Sequence, residues 1–212
     1  MHSVFSSRSS GVLALAMMSL NALASVPSDP TQVHPMTAGV VAPAFVVRNA
    51  DGSDHRFDPQ KLTKPAILIF YRGGWCPYCN AHMGALKAAE PKLLAMGYEI
   101  FFLSTDRPQI LYSSLKEPDI HYTLLSDSRM NAAHAFGLAY RLDDATYEKY
   151  KSFGLDLEAT TGETHHELPV PAVYIIDRQG QIRFAYTNAD YKVRLGTEPL
   201  LAAARKAHSP KP

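Results

Sequence analysis

Cysteine is scarce in this chain, with two residues among 212, and only two other residues separate them. A framework of structural disulfides is therefore excluded, and a bridge across so short a spacing closes a tiny loop that removes little chain entropy. An excess of charge of one sign is missing as well. Lys and Arg number 21 against 20 Asp and Glu, for a net charge of +1, scattered without a basic block, which argues against nucleic acid or an anionic membrane as partner. Internal repeats are absent. Tryptophan occurs once, at Trp75.

Long apolar runs are also lacking. The run over 11–20 is shorter than the about 20 residues a membrane-spanning helix needs, and Asn21 interrupts it. Arg8 before it and Ala22-Leu23-Ala24 after it give the three-part pattern of a secretory signal peptide over 1–24, cleaved before Ser25. An uncleaved anchor is the competing reading, and no cysteine follows the run to carry a lipid. The expectation is a periplasmic or secreted protein with no stable membrane insertion after cleavage, a flexible tail over 25–39 and one domain over 40–208. Hydrophobic residues at 46% allow a full core there.

What is present is Cys76-Pro77-Tyr78-Cys79, placed where the apolar run over 66–71 hands over to a helix. Pro77 suits a first helical turn, with its fixed φ and missing N–H. Cys76 then lies at the helix N-terminus, where unpaired N–H groups and the macrodipole favour a thiolate. Cys79 lies one turn further in, on the packed face. The pair is asymmetric by position: Cys76 attacks, Cys79 resolves. Trp75 is expected to shield the pair, with packing on the sheet edge as the alternative, and Tyr78 to stand exposed between the thiols within reach of substrate.

The remaining pattern alternates strands and helices. Residues 45–48 and 55–57, around Asp51-Gly52, predict a hairpin. The unalternating run over 66–71 predicts a strand buried on both faces. The helix after Cys76 should present Cys79, Met83, Leu86, Leu93 and Leu94 on one side, with Pro91 kinking or restarting it. A strand over 98–104 follows, then a helix capped by Asp106 and running to about Lys116. A short strand over 122–125 and a helix over 129–136 stopped by Gly137 come next. The pattern weakens between 138 and 168, with a helix expected over 145–153 and an exposed loop over 158–167. Strands over 172–177 and 181–186 form a last hairpin, and 197–208 a closing helix. The fold class is α/β, a central mixed sheet with helices on both faces and an N-terminal hairpin.

These residues resemble a family. A strand, Trp-Cys-x-x-Cys opening a helix, and Val-Pro before an Ala-Val-Tyr-Ile-Ile-Asp strand look like the thioredoxin fold. Phe70-Tyr71-Arg72-Gly73-Gly74-Trp75-Cys76-Pro77-Tyr78-Cys79-Asn80, Ala42-Pro43-Ala44-Phe45 and Leu168-Pro169-Val170-Pro171-Ala172 are similar to the peroxiredoxin-like branch of the alkyl hydroperoxide reductase and thiol-specific antioxidant family. The resemblance implies that Pro171 is a cis proline facing the cysteines, with Pro169 as competitor, and that the Val170 backbone is turned toward an incoming chain.

Departures from the family pattern stand beside it. Peroxiredoxins carry Pro-x-x-x-Thr/Ser-x-x-Cys, and here those two positions are Ile69 and Gly73, while the family's later Arg aligns with Pro171. Arg72 is the candidate to replace the lost charge, although a loop Arg is more commonly exposed or ion-paired. The site therefore favours thiol-disulfide exchange. The second reading is a thioredoxin-dependent thiol peroxidase acting on hydrogen peroxide or organic hydroperoxides through a Cys76 sulfenic acid. Either needs a redox partner protein and no cofactor. A third reading is copper binding by Cys76, Cys79 and His82, joined by His165 and His166, with His82 on the outer side of its helix more commonly just solvated.

Overall fold

The computed structural model describes residues 25–114 and 121–208. The expected leader over 1–24, the C-terminal end of the helix reaching Lys116, and the last four residues lie outside the described residues.

The chain order is β1 (Phe45–Asn49), β2 (Asp54–Phe57), β3 (Ala66–Phe70), α1 (Pro77–Lys87), α2 (Glu90–Ala95), β4 (Glu99–Ser104), α3 (Pro108–Ser114), β5 (Thr123–Ser126), α4 (Asn131–Ala135), β6 (Ala139–Arg141), α5 (Asp144–Ser152), α6 (Leu157–Thr161), β7 (Glu167–Pro169), β8 (Ala172–Ile176), β9 (Ile182–Thr187) and α7 (Thr197–His208). Seven strands form one mixed sheet in the order β2-β1-β5-β4-β3-β8-β9, and β6 pairs with β7 separately. β3 runs parallel to β4 and antiparallel to β8, so it is hydrogen-bonded along both edges. All five of its residues are buried.

Alternation along β3 divides the core. Ala66, Leu68 and Phe70 join one cluster with Phe136, Tyr147 and Leu157, while Ile67 and Ile69 join the other with Leu86, Leu93 and Leu200. Helices thus cover both faces, as period-two side-chain placement requires of a strand buried on both sides. α1 ends at Lys87 and α2 restarts with Pro91 in its first turn, where the missing N–H costs nothing. Gly137, at φ +66, ends α4 so close to His34 that a Cβ would lie 2.1 Å from the His34 carbonyl oxygen. Among the described residues no helix is long and apolar enough to cross a membrane.

Three expectations give way here. Residues 25–39 are tied to the domain rather than loose, because Met36 N–H donates to Phe136 O and Gly39 N–H to Ile182 O. The stretch expected as an exposed loop over 158–167 overlaps most of α6, with Thr161 buried and its hydroxyl donating to Leu157 O. Asp106 does not cap α3: its carboxylate turns inward to Gly74 N–H and the Ser104 hydroxyl.

Candidate active site

The β3–α1 connection, residues 71–76, lies at the carboxyl ends of two parallel strands, the place where open α/β sheets expose loop backbone to ligands. The neighbouring β4–α3 loop holds it there. Thr105 Oγ1 donates to Arg72 O at 2.7 Å, Asp106 Oδ2 accepts Gly74 N–H at 2.7 Å, and Asn80 Nδ2 donates to Gly74 O at 2.8 Å. Gly73 sits at φ +149, and a Cβ there would lie 2.3 Å from Trp75 Nε1. Only glycine fits that corner without a shift.

Cys76 is the N-cap of α1 with Pro77 behind it, and its N–H donates to Gly73 O at 3.1 Å. Both thiols are free, and Cys76 and Cys79 are 1% and 0% exposed. A hydrogen bond from Cys79 lowers the Cys76 pKa to about 6 against the opposing effect of burial, with the Cys79 N–H and the charges of Arg72 and Arg194 adding to it. The same bond, then burial, pushes the Cys79 thiol up. The shared bond thus favours the thiolate at Cys76 and the proton at Cys79.

Two arginines flank it. Arg72 is 2% exposed, with its guanidinium carbon 4.0 Å from the centre of the Tyr191 ring, 4.9 Å from that of Trp75 and 5.6 Å from that of Tyr150. Its Nη2 donates to the Tyr150 hydroxyl at 2.6 Å, and its Nε is buried without a partner among the described residues. Arg194, in the segment between β9 and α7, donates from Nη2 to Cys79 Sγ at 3.1 Å and from Nε to Tyr191 O at 2.7 Å. Arg72, Trp75, Cys76, Tyr78, Tyr150 and Tyr191 line a cleft of about 360 Å³. Larger clefts, near Tyr98 and near His34, contain neither cysteine.

A strand-to-helix dithiol on this sheet invites comparison with known proteins, and a sequence profile described as the AhpC/TSA family matches residues 38–185, more than half the chain. The chain belongs to the AhpC/TSA family. It is 25% identical over 153 residues to the chloroplastic peroxiredoxin Q of Gentiana triflora, covering 72% of this chain and 60% of that relative's length. It is 27% identical over 109 residues to peroxiredoxin Bcp of Escherichia coli, covering 50% of this chain and 67% of that protein. Among solved structures, peroxidoxin BcpB from Mycobacterium tuberculosis superimposes with a TM-score of 0.59 at 18% identity over 81% of this chain and 97% of its own. Peroxiredoxin Q from Xanthomonas campestris gives 0.60 at 13% identity over 84% and 99%.

Within this AhpC/TSA chain the structure gathers Cys76, Cys79, Trp75, Tyr78 and Arg72 as the sequence suggests, and corrects several details. Arg72 is not a surface loop residue: three aromatic rings and the Tyr150 hydroxyl bury it in the cleft. The peptide bonds before Pro171 and Pro169 are trans, as are all others among the described residues, which is the isomer an X–Pro bond intrinsically favours. Nor is the Val170 N–H open to an incoming chain, since it donates to Leu138 O at 2.8 Å. His82 is buried, with Nε2 paired to Leu195 O at 3.0 Å. His165 pairs with Ser128 O and His166 with Glu158. No cluster of three or more metal-ligating side chains forms among the described residues, so the copper layout does not assemble. Arg194 and Asp106 are site residues that the sequence did not reveal as such.

Proposed function

We propose that the chain is a thiol peroxidase. Cys76 thiolate attacks the outer oxygen of a hydroperoxide, the O–O bond breaks, Cys76 becomes a sulfenic acid and the alcohol or water leaves after taking up a proton. Cys79 then attacks the Cys76 sulfur, forming the disulfide and releasing water. The buried Arg72 charge stabilises both the resting thiolate and the negative charge that develops on the leaving oxygen. It takes the place of the hydroxyl and arginine missing from positions 73 and 171.

The observation that carries this reading is access. Cys76 is 1% exposed, and the backbone N–H expected to pair with a polypeptide substrate already has a partner in Leu138. A hydroperoxide needs to bring only two oxygens to the sulfur, whereas a protein disulfide must bring a strand. The family and the peroxiredoxin relatives support the same choice over general disulfide exchange. Turnover requires a thioredoxin-type dithiol to reduce the Cys76–Cys79 bond. The leader pattern over 1–24 supports action in the periplasm or outside the cell.

The test is to titrate reduced protein with hydrogen peroxide and map the cysteines by mass spectrometry. One Cys76–Cys79 disulfide per equivalent of peroxide is the expected result. Unreacted thiols at stoichiometric peroxide, with prompt oxidation by a protein disulfide, would return the assignment to disulfide exchange.

A further inference from the structure

The segment between β9 and α7 reaches from the cleft, where Tyr191 lines it, to the buried sulfur of Cys79, and its contacts are specific. Arg194 reaches Cys79 Sγ at 3.1 Å. The carbonyl oxygen of its neighbour Leu195 accepts from His82 Nε2, one turn further along α1, at 3.0 Å, so the segment is fastened to the same helix that carries Cys79. Tyr191, whose carbonyl holds Arg194 Nε, also places its ring over Arg72 and edge-on to Tyr78 at 5.7 Å. A single strap thus positions one cation against each half of the dithiol.

We infer that Arg194 is a catalytic residue for the resolving step: it holds the Cys79 sulfur as a thiolate once Cys76 has been oxidised. The inference rests on the peroxidase reading for the identity of the oxidant. In the resting pair Cys79 keeps its proton, which it shares with the Cys76 thiolate. Conversion of Cys76 to a sulfenic acid removes that negative charge, and with it the main opposition to a second thiolate. Burial then remains as the force against ionisation at Cys79, and the contacting guanidinium is the charge that offsets it. The thiolate attacks Cys76 Sγ, the S–S bond forms, the S–O bond breaks, and the departing hydroxide takes the proton given up by Cys79 and leaves as water. The arrangement orders the two steps, because Cys79 cannot ionise easily until Cys76 has reacted.

Two variants separate charge from shape: Arg194→Gln keeps a hydrogen-bonding side chain without charge, and Arg194→Lys keeps the charge. In single-turnover mixing with stoichiometric hydrogen peroxide, Arg194→Gln should slow disulfide closure by about tenfold, the effect of one pKa unit at the attacking thiol, and lengthen the life of a dimedone-reactive sulfenic acid at Cys76. Arg194→Lys should recover part of the rate. The closure rate should also rise with pH over a higher range in Arg194→Gln than in the unaltered protein, which loss of packing alone would not produce. Wild-type closure kinetics with an unmoved pH profile in Arg194→Gln would overturn the inference.

A second measurement needs no peroxide. In a Cys76→Ser background, which mimics the uncharged oxidised partner, thiolate absorbance reads the Cys79 pKa directly, and adding Arg194→Gln should raise it by about one unit. If the unaltered protein proves inert to peroxide, the peroxidase proposal fails while this titration still decides the role of Arg194. An unchanged Cys79 pKa removes that role whatever the oxidant.

Discussion

Arg72 donates to the Tyr150 hydroxyl at 2.6 Å across 78 residues of chain, and that bond, with three aromatic rings centred 4.0 to 5.6 Å from the guanidinium carbon, fixes a buried positive charge beside Cys76. Planar stacking and a directed N–H bond suit guanidinium and not ammonium. Arg72→Lys should therefore behave much like Arg72→Met: peroxide oxidation of Cys76 should slow by roughly 10²-fold, the usual cost of losing one preorganised donor to a developing oxyanion. Second-order rate constants with hydrogen peroxide check this. A methionine variant with wild-type rate would show that Arg72 serves packing alone, and a lysine variant with wild-type rate would show that charge without the planar fork suffices.

The pH profile follows from the proton shared by the two thiols. Cys76 is reactive as the thiolate, so its alkylation by iodoacetamide should be slow below pH 6, rise through a midpoint near 6, and stay level above it. Cys79→Ala removes the hydrogen bond that contributes most to this, and the midpoint should move up toward the ordinary thiol range of about 8.5. Rates of alkylation against pH, measured with both proteins, read the shift directly. A midpoint unmoved by Cys79→Ala would assign the activation to the helix terminus instead.

Restoring the family's hydroxyl should not restore the family's site. Gly73→Thr forces a β-branched side chain onto φ +149 and drives its Cβ to within 2.9 Å of Asp106 Oδ1 as well as onto Trp75. The expected result is a loss of roughly 1–3 kcal/mol of stability, the range for such backbone strain, without faster peroxide reduction. Chemical denaturation and peroxide kinetics on the same variant separate the two effects.

The cysteines divide the labour in a way single substitutions expose. Cys76→Ser should abolish peroxide consumption. Cys79→Ser should consume one equivalent and stop, with Cys76 left as a sulfenic acid open to trapping by dimedone. Sustained turnover by the Cys76 variant with a thioredoxin-type reductant would overturn the assignment of roles.

What the chain reveals on reading is what local physics decides. Cys76 and Pro77 announce a helix start by their own geometry, the run over 66–71 can only be a strand with both faces covered, and 197–208 shows its apolar stripe without help. Long-range pairings are a different matter. Asp106 looks like a cap because caps are local, but Gly74, which lies 32 residues earlier, claims its carboxylate. Arg194 stands in a stretch with no periodic pattern, and nothing near it in sequence hints at Cys79, 115 residues away. α6 has a polar sequence that reads as loop, although Asp156 caps it and Leu157 anchors it. The occupied Val170 N–H likewise depends on β6 and β7 pairing, in the part of the chain where the pattern is weakest.

Peroxide, and not a protein disulfide, is the proposed oxidant of this buried dithiol. Trp75 adjoins Cys76 and is the sole tryptophan, so its fluorescence reports oxidation of the pair in stopped flow without a label. The account predicts a fast fluorescence change whose rate rises linearly with hydrogen peroxide concentration, followed by a slower one independent of it, and a much slower response to an oxidised protein disulfide at equal concentration. A prompt change with the protein disulfide, and none with peroxide, would contradict it.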